Sequence, residues 1–151
     1  MTTILFICTG NTCRSPMAEY ILRDLAEKAG TKDLSVSSAG LFAADGIAAS
    51  TNARYALEML GQNLIPHRSR LVALPMVEQS DLVLGMTQEH KRELIERFPD
   101  HNRRLYTLGE IIEEPNLEIN DPFGQSGRIY QQTAWQLQSA LKKLLNILER
   151  M

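Results

Sequence analysis

Short apolar runs alternate with segments of helical period along this chain, and that alternation narrows the possible folds more than any other feature. "TILFIC" is rich in strand formers and too short for an ordinary helix. In "SPMAEYILRDLAEKAG", Ser15 stands where a helix cap belongs and Pro16 at the first helical position. Met17, Tyr20, Ile21 and Leu25 then recur at helical spacing, and Gly30 closes the segment. "LSVSSAG" predicts a second strand from Leu34 to Ser37, and Thr51 opens a helix through "NARYALEML" that ends at Gly61. "DLVLGM", Asp81 to Met86, reads as a third buried strand, after which Thr87 caps the helix "QEHKRELIERF". "RLYTL" is a weaker fourth strand. From about Gly127 a last helix carries Ile129, Leu137, Leu141, Leu144 and Leu148 on one face, a stripe that belongs in the core. The expected fold is α/β, a parallel sheet with helices on both faces. Ligands of such sheets bind beyond the carboxyl ends of the strands. Cys8 stands at one such end.

A chain of 151 residues suits one domain, able to bury about two-thirds of its unfolded surface without crosslinks. Its 44% apolar and 23% charged residues are those of an ordinary globular protein. With a net charge of −2 and no lysine or arginine cluster, neither nucleic acid nor an anionic membrane is an expected partner. Any anion site must therefore be built locally. The start, "MTTILFICTG", has no basic segment and only the brief apolar run Ile4 to Ile7, so it reads as neither a signal peptide nor a membrane span. Two cysteines, one of them inside a turn, fit a reducing compartment, and the protein is expected in the cytoplasm.

The stretch "CTGNTCRS" carries the chemistry. A strand ends, a loop turns through Gly10 and Asn11, residue types that tolerate unusual backbone angles, and a helix begins near Ser15 and Pro16. Successive N–H groups in such a turn form an anion nest, and the helix adds its positive N-terminal end. Arg14 adds a planar fork that matches two oxygens of a phosphate. The donors that attract a phosphate also stabilise a sulfur anion, so Cys8, at the base of the nest, is a candidate nucleophile for phosphoryl transfer. A buried core cysteine is the alternative reading of Cys8 alone. No second pair at metal-ligand spacing accompanies Cys8 and Cys13, the three histidines are scattered, and no metal site is expected. The GxxxxGK[ST] nucleotide loop is absent.

"CTGNTCRSP" fits the C-x5-R-S loop of the low-molecular-weight protein tyrosine phosphatases, and "DPFG", Asp121 to Gly124, falls where that family carries its Asp-Pro general acid. The resemblance covers essentially the whole chain. It implies a four-stranded parallel sheet flanked by helices, phosphatase chemistry without metal or cofactor, a phosphorylated protein as substrate, and a monomer. Cys8 resembles the nucleophile, Arg14 the phosphate clamp, and Ser15 the hydroxyl that stabilises the leaving thiolate. Thr9, Gly10, Asn11, Thr12, Cys13 and Ser15 would surround the substrate, with Phe123 beside them. Asn11 looks like the residue that holds the left-handed turn, with Ser38 and His67 as supporting partners, although His67 alone also fits an ordinary loop histidine. Asp121 would give a proton to the leaving atom and later take one from water; Pro122 restricts its backbone and helps fix the loop.

Substrate choice turns on Thr12. Many tyrosine-specific members carry an aliphatic residue at this position and paired tyrosines where this chain has Phe123 and Gly124. Threonine here resembles the protein arginine phosphatase branch. A guanidinium presents N–H donors that an apolar wall leaves unpaired, at a cost of about 1–3 kcal/mol each, and a threonine hydroxyl can accept one. Tyrosine remains the alternative, with Thr12 turned away as loop support. Cys13 can trap an oxidised Cys8 as a disulfide. Arsenate reductases share the scaffold but need more cysteines for their relay. A phosphoprotein-binding module would need neither Cys8 nor Asp121, and a dithiol redox protein would show no phosphatase activity.

Overall fold

The structure is a computed structural model that describes residues 1–150. Four strands, β1 (Thr2–Cys8), β2 (Leu34–Gly40), β3 (Leu82–Gly85) and β4 (Leu105–Thr107), form one sheet in the order β2-β1-β3-β4. Every pairing is parallel. The helices are α1 (Arg14–Lys28), α2 (Thr51–Glu58), α3 (Leu74–Glu78), α4 (Gln88–Arg97), α5 (Leu108–Ile111) and α6 (Gly127–Glu149), with a 3-10 segment at Pro99–Arg104. This is the expected α/β architecture.

Alternation along β1 divides the core. Ile4, Phe6 and Cys8 join the cluster that holds Met17 and Ile21 of α1 and Leu137, Leu141 and Leu144 of α6. Leu5 and Ile7 point the other way, toward Val77, Val83, Leu94 and Leu105. A strand buried on both faces reads as a continuous apolar run, which is what "ILFI" is. The stripe expected on α6 is buried at Leu137, Leu141 and Leu144, while Ile129 and Leu148 at its ends are partly covered. No helix among the described residues is long and apolar enough to cross a membrane.

Register sets where a site can form. Cys8 pairs with Gly40, Ile7 with Gly85, and Gly85 with Thr107, so the carboxyl ends of all four strands share one edge. The chain leaves β1 to build β2 on one side and crosses to β3 on the other, a topological switch point beside Cys8.

Several boundaries differ from the sequence reading. Helix α1 starts at Arg14 with Cys13 as its N-cap, and no side chain caps it. Ser15 is therefore no cap, and Pro16 sits third in the helix, where its missing N–H still costs no helical bond. Strand β2 continues through Ser38, Ala39 and Gly40, small residues of weak strand propensity that the parallel ladder with β1 nevertheless recruits. Strands β3 and β4 are each shorter at both ends than the runs that suggested them. Ser50 rather than Thr51 caps α2, accepting from the Ala53 N–H, whereas Thr87 caps α4 as expected. The short helices α3 and α5 were not anticipated.

Candidate active site

The loop between β1 and α1 wraps a cavity of about 280 Å³ at the carboxyl edge of the sheet. Cys8, Thr9, Gly10, Thr12, Cys13, Arg14, Asp121 and Phe123 line it, together with Ser50 and Tyr130, which the sequence reading missed. Neither missed residue sits in a motif; Ser50 arrives from the segment after β2 and Tyr130 from the first turns of α6. The N–H groups of Gly10, Asn11, Thr12 and Cys13 donate to no acceptor among the described residues, as an anion nest requires.

Gly10 does not supply the unusual backbone angle; that role falls to Asn11, at φ 57°. Its side chain explains why the left-handed conformation persists. Nδ2 donates to Ser15 Oγ at 2.8 Å and to Ser38 Oγ at 3.0 Å, while Oδ1 accepts from the Arg70 N–H at 3.0 Å. His67 Nε2 donates to the Asn11 carbonyl at 2.7 Å, so the histidine reaches the backbone of the loop and not the amide side chain. Asn11 and Ser15 are fully buried and do not line the cavity; both stand behind the loop that was expected to bring them to the substrate.

Proton bookkeeping behind the loop gives Ser15 a direction. The Glu19 carboxylate accepts from Ser38 Oγ at 2.7 Å and is ion-paired with Arg23. Ser38 has then spent its hydrogen and accepts from Asn11. Asn11 spends its other amide hydrogen on Ser15. The single hydrogen of Ser15 is left for Cys8 Sγ at 2.9 Å, with the Ala39 carbonyl at 3.4 Å as the longer choice. Glu19, absent from the sequence reading, thus anchors a chain of donors that ends on the cysteine sulfur.

Arg14 is 4% exposed and held from behind, with Nη1 donating to the Ile119 carbonyl at 3.0 Å and Nη2 to Thr9 Oγ1 at 3.4 Å. Asp121 stands at the mouth, its Oδ2 3.7 Å from Arg14 Nη2 and its side chain half exposed. Its Oδ1 accepts from the Phe123 N–H at 3.0 Å, which fixes the loop and leaves the other oxygen toward the cavity. Phe123 is largely exposed beside it. Burial, and next the nearby Cys8, raises the Cys13 thiol far above the ordinary range, so Cys13 stays a thiol. Burial likewise raises Tyr130. Both cysteines are free. Among the described residues, no group of three or more His, Cys, Asp or Glu could hold a metal ion.

A buried cysteine with a directed hydroxyl, a clamped arginine and a carboxylate at the rim is the arrangement that the loop motif implied. The sequence profile described as low molecular weight phosphotyrosine protein phosphatase matches residues 3–151. The chain belongs to that family. Among relatives in the low molecular weight phosphatase family, a protein-arginine-phosphatase of Bacillus subtilis (strain 168) is 38% identical over 97% of each chain. A low molecular weight protein-tyrosine-phosphatase, PtpB of Staphylococcus haemolyticus (strain JCSC1435), is 40% identical over 93% of this chain and 96% of its own. The solved structure of YwlE arginine phosphatase, a cysteine-to-serine mutant with a phosphorylated active site serine, superposes with a TM-score of 0.94 at 37% identity, covering 98% of this chain and 96% of that one.

Proposed function

We propose that this phosphatase removes phosphate from phosphoarginine in proteins through a phosphocysteine intermediate. Cys8 sulfur attacks phosphorus while the P–N bond breaks, and Asp121 protonates the departing guanidine nitrogen. Water then attacks phosphorus, Asp121 takes its proton, and the S–P bond breaks to return the thiolate that the Ser15 hydrogen bond stabilises. Arg14 and the N–H groups of the loop hold the phosphoryl oxygens throughout. The observation that carries the substrate is Thr12 lining the same cavity as the nucleophile and the acid, where its hydroxyl can accept from a guanidinium N–H. The identity to a relative named protein-arginine-phosphatase supports the same reading.

Phosphotyrosine is the second reading, favoured by Phe123 and Tyr130, which line the same cavity, and by the relative named as a tyrosine phosphatase. The test compares turnover of phosphoarginine and phosphotyrosine peptides by wild type and Thr12→Ile. The substitution is expected to weaken arginine dephosphorylation by about tenfold and favour tyrosine, the worth of one unpaired donor. Unchanged selectivity removes Thr12 as the determinant, and hydrolysis that survives Cys8→Ser removes the phosphocysteine.

The same reading takes the chain as one catalytic domain, monomeric and cytoplasmic, consistent with two free thiols. It also makes Cys13 a redox guard. Peroxide converts the Cys8 thiolate to a sulfenic acid, and the Cys13 thiol condenses with it, releasing water and leaving a disulfide that thiols reduce.

A further inference from the structure

Thr9 ties the catalytic loop to a histidine that no motif singled out. His90 stands in the first turn of α4, 6% exposed, with Nε2 3.1 Å from Thr9 Oγ1. Gly85 at the end of β3 permits the approach, since a methyl group there would lie 2.9 Å from His90 Cβ. From the other side Arg14 Nη2 donates to the same Thr9 oxygen at 3.4 Å. The threonine hydroxyl therefore bridges the imidazole and the phosphate clamp.

The direction of these bonds follows from an orphan. His90 Nδ1 is buried without a hydrogen-bond partner among the described residues. A buried N–H without an acceptor is rarer and costlier than a lone pair without a donor. A neutral imidazole in this place therefore carries its hydrogen on Nε2 and donates it to Thr9. Burial, and next the Arg14 charge, lowers the His90 pKa to about 4, which keeps the ring neutral at neutral pH. Thr9 Oγ1 then accepts from both His90 and Arg14, and its own hydrogen is free for the cavity that Thr9 lines.

We propose that His90 is a positioning residue: acting through Thr9, it braces the Arg14 guanidinium and turns the Thr9 hydroxyl hydrogen toward the bound phosphoryl group. The role rests on the phosphatase reading of the same cavity. It assigns work to a side chain that never touches the substrate.

A double-mutant cycle on para-nitrophenyl phosphate hydrolysis tests it. Thr9→Val and His90→Leu are each expected to lower kcat about 5- to 10-fold, the worth of one hydrogen bond made to the reacting group, with KM within about twofold. The double variant should be no worse than Thr9→Val alone, because both remove one connection. His90→Gln, whose amide reaches the Nε2 position, should recover kcat to within about threefold. Should His90→Leu fail to fold, His90→Asn, too short to reach Thr9, takes its place in the cycle. A double variant lowered by the product of the single effects, a His90→Leu enzyme with wild-type kcat, or a His90→Gln enzyme no better than His90→Leu overturns the proposal. Hydrolysis at the wild-type rate in Cys8→Ser overturns the phosphocysteine reading of this cavity and this role together, whereas additive variants of an otherwise Cys8-dependent enzyme overturn this role alone.

Discussion

A single methyl group placed outside the cavity should disable it. A Cβ at Gly40 would stand 2.7 Å from the Thr9 carbonyl oxygen, 2.8 Å from Ala43 Cβ and 3.0 Å from the Asn11 amide nitrogen. Two of these three are backbone atoms of the catalytic loop, so relief requires the loop to move by several tenths of an ångström. The strand cannot retreat instead. Gly40 donates to the Arg70 carbonyl and accepts from the Val72 N–H, both at 2.9 Å, and it lies in register with Cys8. Leu41 and Phe42 donate to the Cys8 and Thr9 carbonyls, so the loop and the segment after β2 are stitched together where the methyl would wedge them apart. Overpacking of this kind costs about 1–3 kcal/mol. For a domain of this size that lowers Tm by roughly 3–10 °C. The larger effect falls on catalysis, since a misplacement of about half an ångström in a preorganised site costs on the order of tenfold in rate. Gly40→Ala is therefore expected to lose about tenfold or more in kcat/KM for para-nitrophenyl phosphate, with inhibition by inorganic phosphate weakened in parallel. Thermal unfolding reports the stability cost in the same samples. A variant with lowered Tm but unaltered kcat/KM and phosphate inhibition would refute the claim that β2 transmits its position to the loop.

Two further outcomes follow from titratable groups near the loop. His90 is held neutral by burial and by Arg14, against the weaker opposing pull of Asp121, with a pKa of about 4 against an ordinary 6.5. Between those values the unfolded chain binds a proton that the folded chain refuses, so stability must fall as pH falls through this window, by roughly 2 kcal/mol between pH 7 and pH 4.5. Urea unfolding of wild type and His90→Gln at pH 7 and pH 4.5 should show the variant losing less by that amount; parallel losses would mean that the imidazole is not held neutral. For Cys13, peroxide treatment of wild type followed by thiol should restore nearly full activity, whereas Cys13→Ala should recover only a minor fraction. Equal recovery would remove the guard role, whatever the buried thiol does for packing.

Which parts of this site could be read from the chain has a physical explanation. An anion nest is built from successive N–H groups, so its residues are contiguous, and "CTGNTCRS" exposes the loop, the sulfur and the arginine in one stretch. Asp121, far from that stretch, was legible only through the family resemblance of "DPFG", with the proline beside it helping to fix the loop. Residue type alone left Gly10 and Asn11 as two tolerant neighbours; the resemblance pointed to Asn11, and Asn11 is the one that adopts the left-handed conformation. The strand order was legible only as an alternation, and the extension of β2 through Ser38, Ala39 and Gly40 was hidden by side chains chosen for closeness rather than for strand propensity.

Ser38 and His67 were named only through the family resemblance, and Glu19 and His90 not at all, because parallel register, not sequence proximity, creates the supporting layer. Pairing Cys8 with Gly40 brings Ser38 beneath the loop, where it relays the pull of Glu19 to Asn11. Pairing Ile7 with Gly85 brings the start of α4 to the other side, where His90 meets Thr9. Each contact joins segments separated by a crossover, and neither glycine carries a signal beyond its own smallness. A change that shifts either pairing by one residue would leave the loop motif intact and dismantle what orients it. The same "CTGNTCRS" placed on a strand without such neighbours would lose the Ser38 and Arg70 partners that hold Asn11, the directed hydrogen on the sulfur and the brace on Arg14, so phosphate binding and turnover would both weaken.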